Sequence, residues 1–242
     1  MYLLTVEGVL SLLSLTALEI ILGIDNVVVI ALVVQHLPKM QREKARRIGL
    51  IGALGLRILL LLGIAWVLKL TKPLFVLFEE GFSGKDILVI LGGIFLIYKS
   101  VTAMHDLFTD EDEQALRESK GKMVTTIFQI MFIDLIFSFD SVITAVGVTK
   151  HIPIIIIAMT IAMLIMLFFT GFVSEFIEKY PTLKTLALSF ILLIGFLLII
   201  EGIGIEVPKA YIYFAMGFSG LVESINILIS RKKQKNPAKK KS

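Results

Sequence analysis

Seven apolar stretches, each near the length that carries a helix through a lipid bilayer, constrain this chain more than any other feature. They lie at about 8–35, 47–69, 86–105, 123–149, 152–177, 184–204 and 210–230; a bilayer core takes roughly 20 helical residues. Lipid offers no hydrogen bonds to exposed backbone, so spans of this kind are predicted to be helices. With 57% hydrophobic and only 18% charged residues, the chain is too apolar for an ordinary soluble domain. The segment Met1 to Gly8 has no Lys or Arg, and the apolar run after it outlasts a signal-peptide core, which predicts a retained first helix. The expected fold class is all-α: a polytopic membrane protein of seven transmembrane helices.

The firmest boundaries are a basic loop from Lys39 to Arg47, a polar stretch from Asp106 to Lys122, and Tyr180-Pro181. Positive charge gathers in that loop and in the tail from Arg231 to Lys241, so both are predicted to be cytoplasmic and the N-terminus external. The acidic loop from Thr109 to Glu118 also falls inside. These signals give a first three-helix half at 1–105, a loop at 106–122, a second half at 123–205, a seventh helix at 206–230 and a basic tail at 231–242. The absence of cysteine excludes disulfides, thiolate metal sites and cysteine nucleophiles. Clustering of the basic residues at helix ends marks orientation and lipid contact, so no nucleic-acid partner is expected.

Sliding the sequence by 115 residues lays Glu19-Ile-Ile-Leu-Gly-Ile-Asp25-Asn26 on Asp134-Leu-Ile-Phe-Ser-Phe-Asp140-Ser141, and the register continues to set His36-Leu-Pro38 on His151-Ile-Pro153. Gly93 to Lys99 similarly resembles Gly195 to Glu201. Three spans per half is an odd number, so the second copy must run the opposite way, leaving the seventh helix as an addition. Inverted repeats with polar motifs at mid-membrane are a transporter architecture. Gly52, Gly55, Gly92 and Gly93 are read as sites of close helix packing.

The ionisable residues inside the spans need explaining. Glu19, Asp25, Asp134, Asp140, Glu201 and Glu223 face only Arg57 and Lys99 as intramembrane bases. Each central charge costs about 2.5–3.5 kcal/mol to insert, so protons, a bound cation or the two bases must neutralise the acids. At about 100° per residue, Glu19, Gly23 and Asn26 share a stripe, as do Asp134, Ser138 and Ser141. Pairing the two arcs would converge four carboxylates, the Asn26 amide and the Ser141 hydroxyl. Such an oxygen set suits Mn²⁺, Mg²⁺ or Ca²⁺. Depth in a helical hairpin sets Arg57 level with Asp25, an expected ion pair. Supporting roles are open to Arg57, Ser138, Thr144, Lys99, Glu201, Glu223 and Asn226. For Glu223 and Asn226, at i and i+3, a local bond is the simpler reading, and Lys99 sits where it can snorkel.

Leu18-Glu-Ile-Ile-Leu-Gly-Ile-Asp-Asn26 and Phe137-Ser-Phe-Asp-Ser-Val-Ile-Thr-Ala-Val-Gly147 resemble the motifs of the TerC family of bacterial membrane proteins, and similar stretches such as Ala45 to Gly49 and Val207 to Met216 extend the likeness over nearly the whole chain. The resemblance implies seven transmembrane helices, a place among lysine-exporter-like transporters, and export of manganese or a related metal from the cytoplasm. It carries over onto Glu19, Asp25, Asn26, Asp134, Asp140 and Ser141 as metal-binding positions. The leading expectation is therefore a non-enzymatic exporter of a divalent cation in the bacterial cytoplasmic membrane, with Mn²⁺ first, protons as the coupling ion and no organic cofactor. Two alternatives stand beside it: an accessory factor for metalation or maturation of exported proteins, docking their export machinery through the acidic loop, and an intramembrane aspartyl protease using Asp25 and Asp140.

Overall fold

The computed structural model describes residues 5–77, 80–107, 122–205 and 207–235. The acidic loop from Thr109 to Glu118 and the tail beyond Lys235 lie outside them. Nine α-helices dominate the described residues: α1 (Val6–Leu22), α2 (Ile24–Val33), α3 (Lys39–Leu62), α4 (Ile64–Leu70), α5 (Gly84–Asp106), α6 (Lys122–Val148), α7 (Ile152–Lys179), α8 (Pro181–Gly202) and α9 (Lys209–Lys235). Five of them, α5 to α9, are long and apolar enough to cross a membrane alone, and the count reaches seven when α1 with α2 and α3 with α4 each serve as one bent span. The bends are 45° at Gly23 and 84° at Gly63.

Local chemistry sets the ends of these helices. Thr5 caps α1 by accepting from the Gly8 amide at 3.1 Å. Ser83 and Asp86 close a reciprocal capping box on α5, Asp86 accepting from the Ser83 amide at 2.8 Å. Proline stands in the opening turn of α7 and of α8, where its missing N–H costs nothing.

Two expectations need correction. The basic stretch from Lys39 to Arg47 is not a loop but the first turns of α3, because Pro38 starts the helix and Glu178 at the end of α7 holds it down. Lys39 Nζ lies 2.5 Å and Arg42 Nη1 3.0 Å from that carboxylate. The helix that carries the second span consequently starts at Lys39, and its final turns swing aside as α4. Between the second and third spans the chain forms an antiparallel pair, β1 (Pro73–Leu77) with β2 (Glu80–Ser83), stabilised by stacked Phe75 and Phe82 rings 5.5 Å apart. Gly55 is not a packing site: a Cβ there would meet nothing within 4 Å, in contrast to Gly52, Gly92 and Gly93.

The packing exchanges the two halves. The first span, α1 with α2, lies chiefly on α7; α3 lies chiefly on α6; and α5 and α8 form the tightest pair of all. At the α5/α8 crossing the contacts are reciprocal. A Cβ on Gly93 would meet the Gly195 carbonyl at 2.5 Å and Ile199, while one on Gly195 would meet the Gly93 carbonyl at 2.9 Å and Ile97. The Ser100 hydroxyl locks the same pair by donating to the Leu188 carbonyl at 2.6 Å. Outside this core the helices present bare apolar faces, with Phe168 77% and Phe214 75% exposed, as a lipid-facing surface requires. Helix α9 touches the rest mainly through α8.

Gly93→Ala and Gly195→Ala should each force the α5/α8 backbones apart and lower the unfolding temperature in detergent by several degrees. Gly55→Ala, with open space around it, should leave that temperature within about a degree or raise it slightly, as Gly-to-Ala exchange in a helix does.

Candidate functional site

The acids of the two motifs fall into two groups. In the first, Arg57 reaches from α3 into the centre of the bundle and binds the leading acid of both motifs. Its Nε donates to Asp134 Oδ2 at 2.8 Å and its Nη2 to Asp134 Oδ1 at 2.7 Å, while Nη1 donates to Glu19 Oε2 at 2.7 Å. All three side chains are sealed, at 3%, 0% and 1% exposure for Arg57, Asp134 and Glu19. Asn26 of the first motif donates to Asp134 of the second at 3.4 Å, and Ser141 of the second faces Glu19 of the first. Ser141 donates to the Ser138 carbonyl at 3.2 Å, and Glu19 Oε1 and Asn26 Oδ1 remain buried acceptors that no donor reaches in hydrogen-bonding geometry.

The expected Asp25–Arg57 ion pair is thus replaced by a Glu19–Arg57–Asp134 bridge. Depth along a hairpin fixes height but not direction around the helix axis, and Arg57 points toward α6. A planar guanidinium with five donors suits two carboxylates at once. Its partners come from different halves, so this cluster clamps the first half to the second.

In the second group, Asp25 and Asp140 line a single small cavity of about 50 Å³ together with Glu201 from the end of α8 and the apolar side chains Leu22, Ile136 and Ile212. Asp25 owes its position to the helix break. Gly23 sits where a Cβ would strike Met166 Sδ at 2.7 Å, and the chain restarts there as α2 with Asp25 in its first turn. A carboxylate in that place is favoured by the positive end of the helix dipole. The equivalent helix of the second half is continuous through Ser138. Asp140 receives the ammonium of Lys85, 2.6 Å from Oδ1.

Lys85 was not among the residues singled out from sequence. It stands one position before the apolar run that marks the third span, and a lysine at a span boundary reads as an interfacial anchor. Only its spatial proximity to Asp140 reveals more.

A larger cavity of about 270 Å³ opens at the other end, lined by His36, Lys99, Ser100, Asp106, Thr126 and Gln129 among others. Its inner wall includes Val29, Leu96, Ile133 and Ile191, while Ile136 and Ile194 line the acidic cavity, and all six belong to one buried apolar cluster. The two cavities therefore lie on either side of a shared apolar layer between α1/α2, α5, α6 and α8. Lys99 sits in the larger cavity, over the Phe95 ring. Thr144 is exposed on the bundle surface, and Glu223 accepts locally from Asn226 at 3.4 Å on α9. Among the described residues, no three His, Asp or Glu side chains are close enough together to hold a metal ion.

A helical bundle with bare apolar outer faces, an ion cluster sealed in its interior and cavities between its helices defines a polytopic integral membrane protein. The chain belongs to the TerC family of integral membrane proteins, whose sequence profile matches residues 4–238. It is similar to the UPF0053 inner membrane protein YgdQ of Escherichia coli K12, 48% identical over 219 residues that cover 90% of this chain and 92% of YgdQ. A UPF0053 protein of Haemophilus influenzae is 46% identical over 227 residues, covering 93% of this chain and 95% of that protein. The E. coli inner membrane protein YoaE is 43% identical over 91% of this chain, which spans only 43% of YoaE. No solved structure matches.

Removing one partner of a sealed ion cluster strands the others without compensation, at a cost of about 3–5 kcal/mol. Arg57→Met should accordingly lower the unfolding temperature in detergent sharply, and Arg57→Lys should recover only part of the loss. The triple variant Glu19→Gln/Arg57→Met/Asp134→Asn should be more stable than Arg57→Met alone. Equal stability of Arg57→Met and the native chain would contradict the clamp.

Proposed function

We propose that this chain is a carrier that exports divalent cations, manganese foremost, from the cytoplasm by alternating access. The observation that carries the reading is the meeting of Asp25 and Asp140, equivalent residues of the two motifs, with Glu201 in one cavity on the bundle axis. Carboxylate oxygens suit hard divalent ions, and the apolar layer between this cavity and the larger one is the kind of barrier that a carrier opens on one side at a time. The exchange of packing partners between halves and the reciprocal glycine contact of α5 and α8 support two inverted repeats related by a pseudo-twofold axis. Rocking of one half against the other about the Arg57 clamp would then move the barrier.

Orientation follows from charge. Lys39, Arg42, Lys44, Arg46 and Arg47 gather near the end where His36 lines the larger cavity, so we assign that end to the cytoplasm and the N-terminus to the outside. The inner-membrane designation of YgdQ and YoaE supports the same membrane for this chain. Protons are the natural counter-ion, because a carboxylate returning through a low-dielectric interior favours its neutral form.

In proteoliposomes, the native chain should move Mn²⁺ well above empty vesicles, faster under an imposed pH gradient. Asp25→Asn, Asp140→Asn and Glu201→Gln should each cut the flux at least tenfold, and the exposed Lys44→Gln should not. Native flux indistinguishable from empty vesicles for Mn²⁺, Ca²⁺ and Mg²⁺ would overturn the reading.

A further inference from the structure

Two ion pairs in this bundle are built to opposite specifications. Arg57 is sealed, makes three short contacts and is held on two sides. Lys85 pairs with Asp140 at 2.6 Å, and the two side chains remain 25% and 32% exposed. Its backbone is nonetheless fixed, because Ser83 and Asp86 close the capping box that spans it. A fixed root and a four-carbon stem give the ammonium a defined swing, and it also feels the nearby charges of Glu201 and Asp86. Asp86, the next residue along the helix, is only partly buried.

A divalent cation coordinated by Asp140 and a lysine ammonium on Asp140 Oδ1 compete for the same lone pairs and repel each other. Resting on the reading of the acidic cavity as the cargo site, we propose that Lys85 is a tethered surrogate cation. Its ammonium occupies Asp140 while the cavity is empty, yields to an entering divalent ion by swinging toward Asp86 and solvent, and returns to expel that ion. The device keeps the empty carrier closer to neutrality during its return and prevents the cargo from being held too tightly to leave. No bond is made or broken; one cation replaces another on a carboxylate.

The test is calorimetric titration of Mn²⁺ into the purified full chain in lipid nanodiscs, alongside Mn²⁺ exchange and net efflux in proteoliposomes. Lys85→Gln should bind Mn²⁺ at least tenfold more tightly than the native chain, retain Mn²⁺/Mn²⁺ exchange and lose net efflux several-fold. Lys85→Met keeps most of the stem and makes the same prediction should the amide variant not fold, while Lys85→Arg should stay near native affinity. Unchanged or weaker Mn²⁺ binding in a folded Lys85→Gln or Lys85→Met protein overturns the proposal and leaves the carrier reading standing. Absence of Mn²⁺ binding in the native chain and in every Lys85 variant overturns the cavity as cargo site, and the surrogate with it.

Discussion

The bundle is organised around one guanidinium in a place where charge is expensive. Arg57 would be costly alone in the membrane interior, and so would Glu19 and Asp134; together they satisfy one another with three hydrogen bonds of 2.7–2.8 Å. Because the two acids belong to different motifs, the requirement to bury them as a set fixes how the first and second halves meet. It also seals them from solvent, whereas Asp25, Asp140 and Glu201 line the smaller cavity. The sorting of acids into a structural set and a cavity set is the central fact of the interior.

That sorting was only half legible in the sequence. The 115-residue offset pairs Glu19 with Asp134 and Asp25 with Asp140, and the structure groups them by those same pairs. What the offset does not carry is which base goes where. Arg57 was matched to Asp25 because both lie at similar depth, yet contact also depends on the direction each side chain takes around its helix. Lys85 was invisible for a different reason: hydropathy ends the third span at Asp86, and the eye treats the residue before it as a boundary marker.

The fold itself followed from hydropathy with less difficulty, since lipid admits few alternatives to the helix. The failures occurred where polar groups override composition. The charge density between 39 and 47 reads as a loop, yet Arg, Lys and Ala are good helix formers, and Glu178 anchors Lys39 and Arg42 at the start of the helix. The short β1/β2 pair depends on the approach of Phe75 to Phe82, a contact that no period in the sequence announces.

The 45° break at Gly23 has no equivalent at Ser138, where α6 runs unbroken from Lys122 to Val148. The first motif therefore sits on a jointed helix and the second on a continuous one, even though the two sequences align residue for residue. The break gives the first motif a hinge that the second lacks, so Asp25 stands just beyond a joint and Asp140 within an unbroken helix.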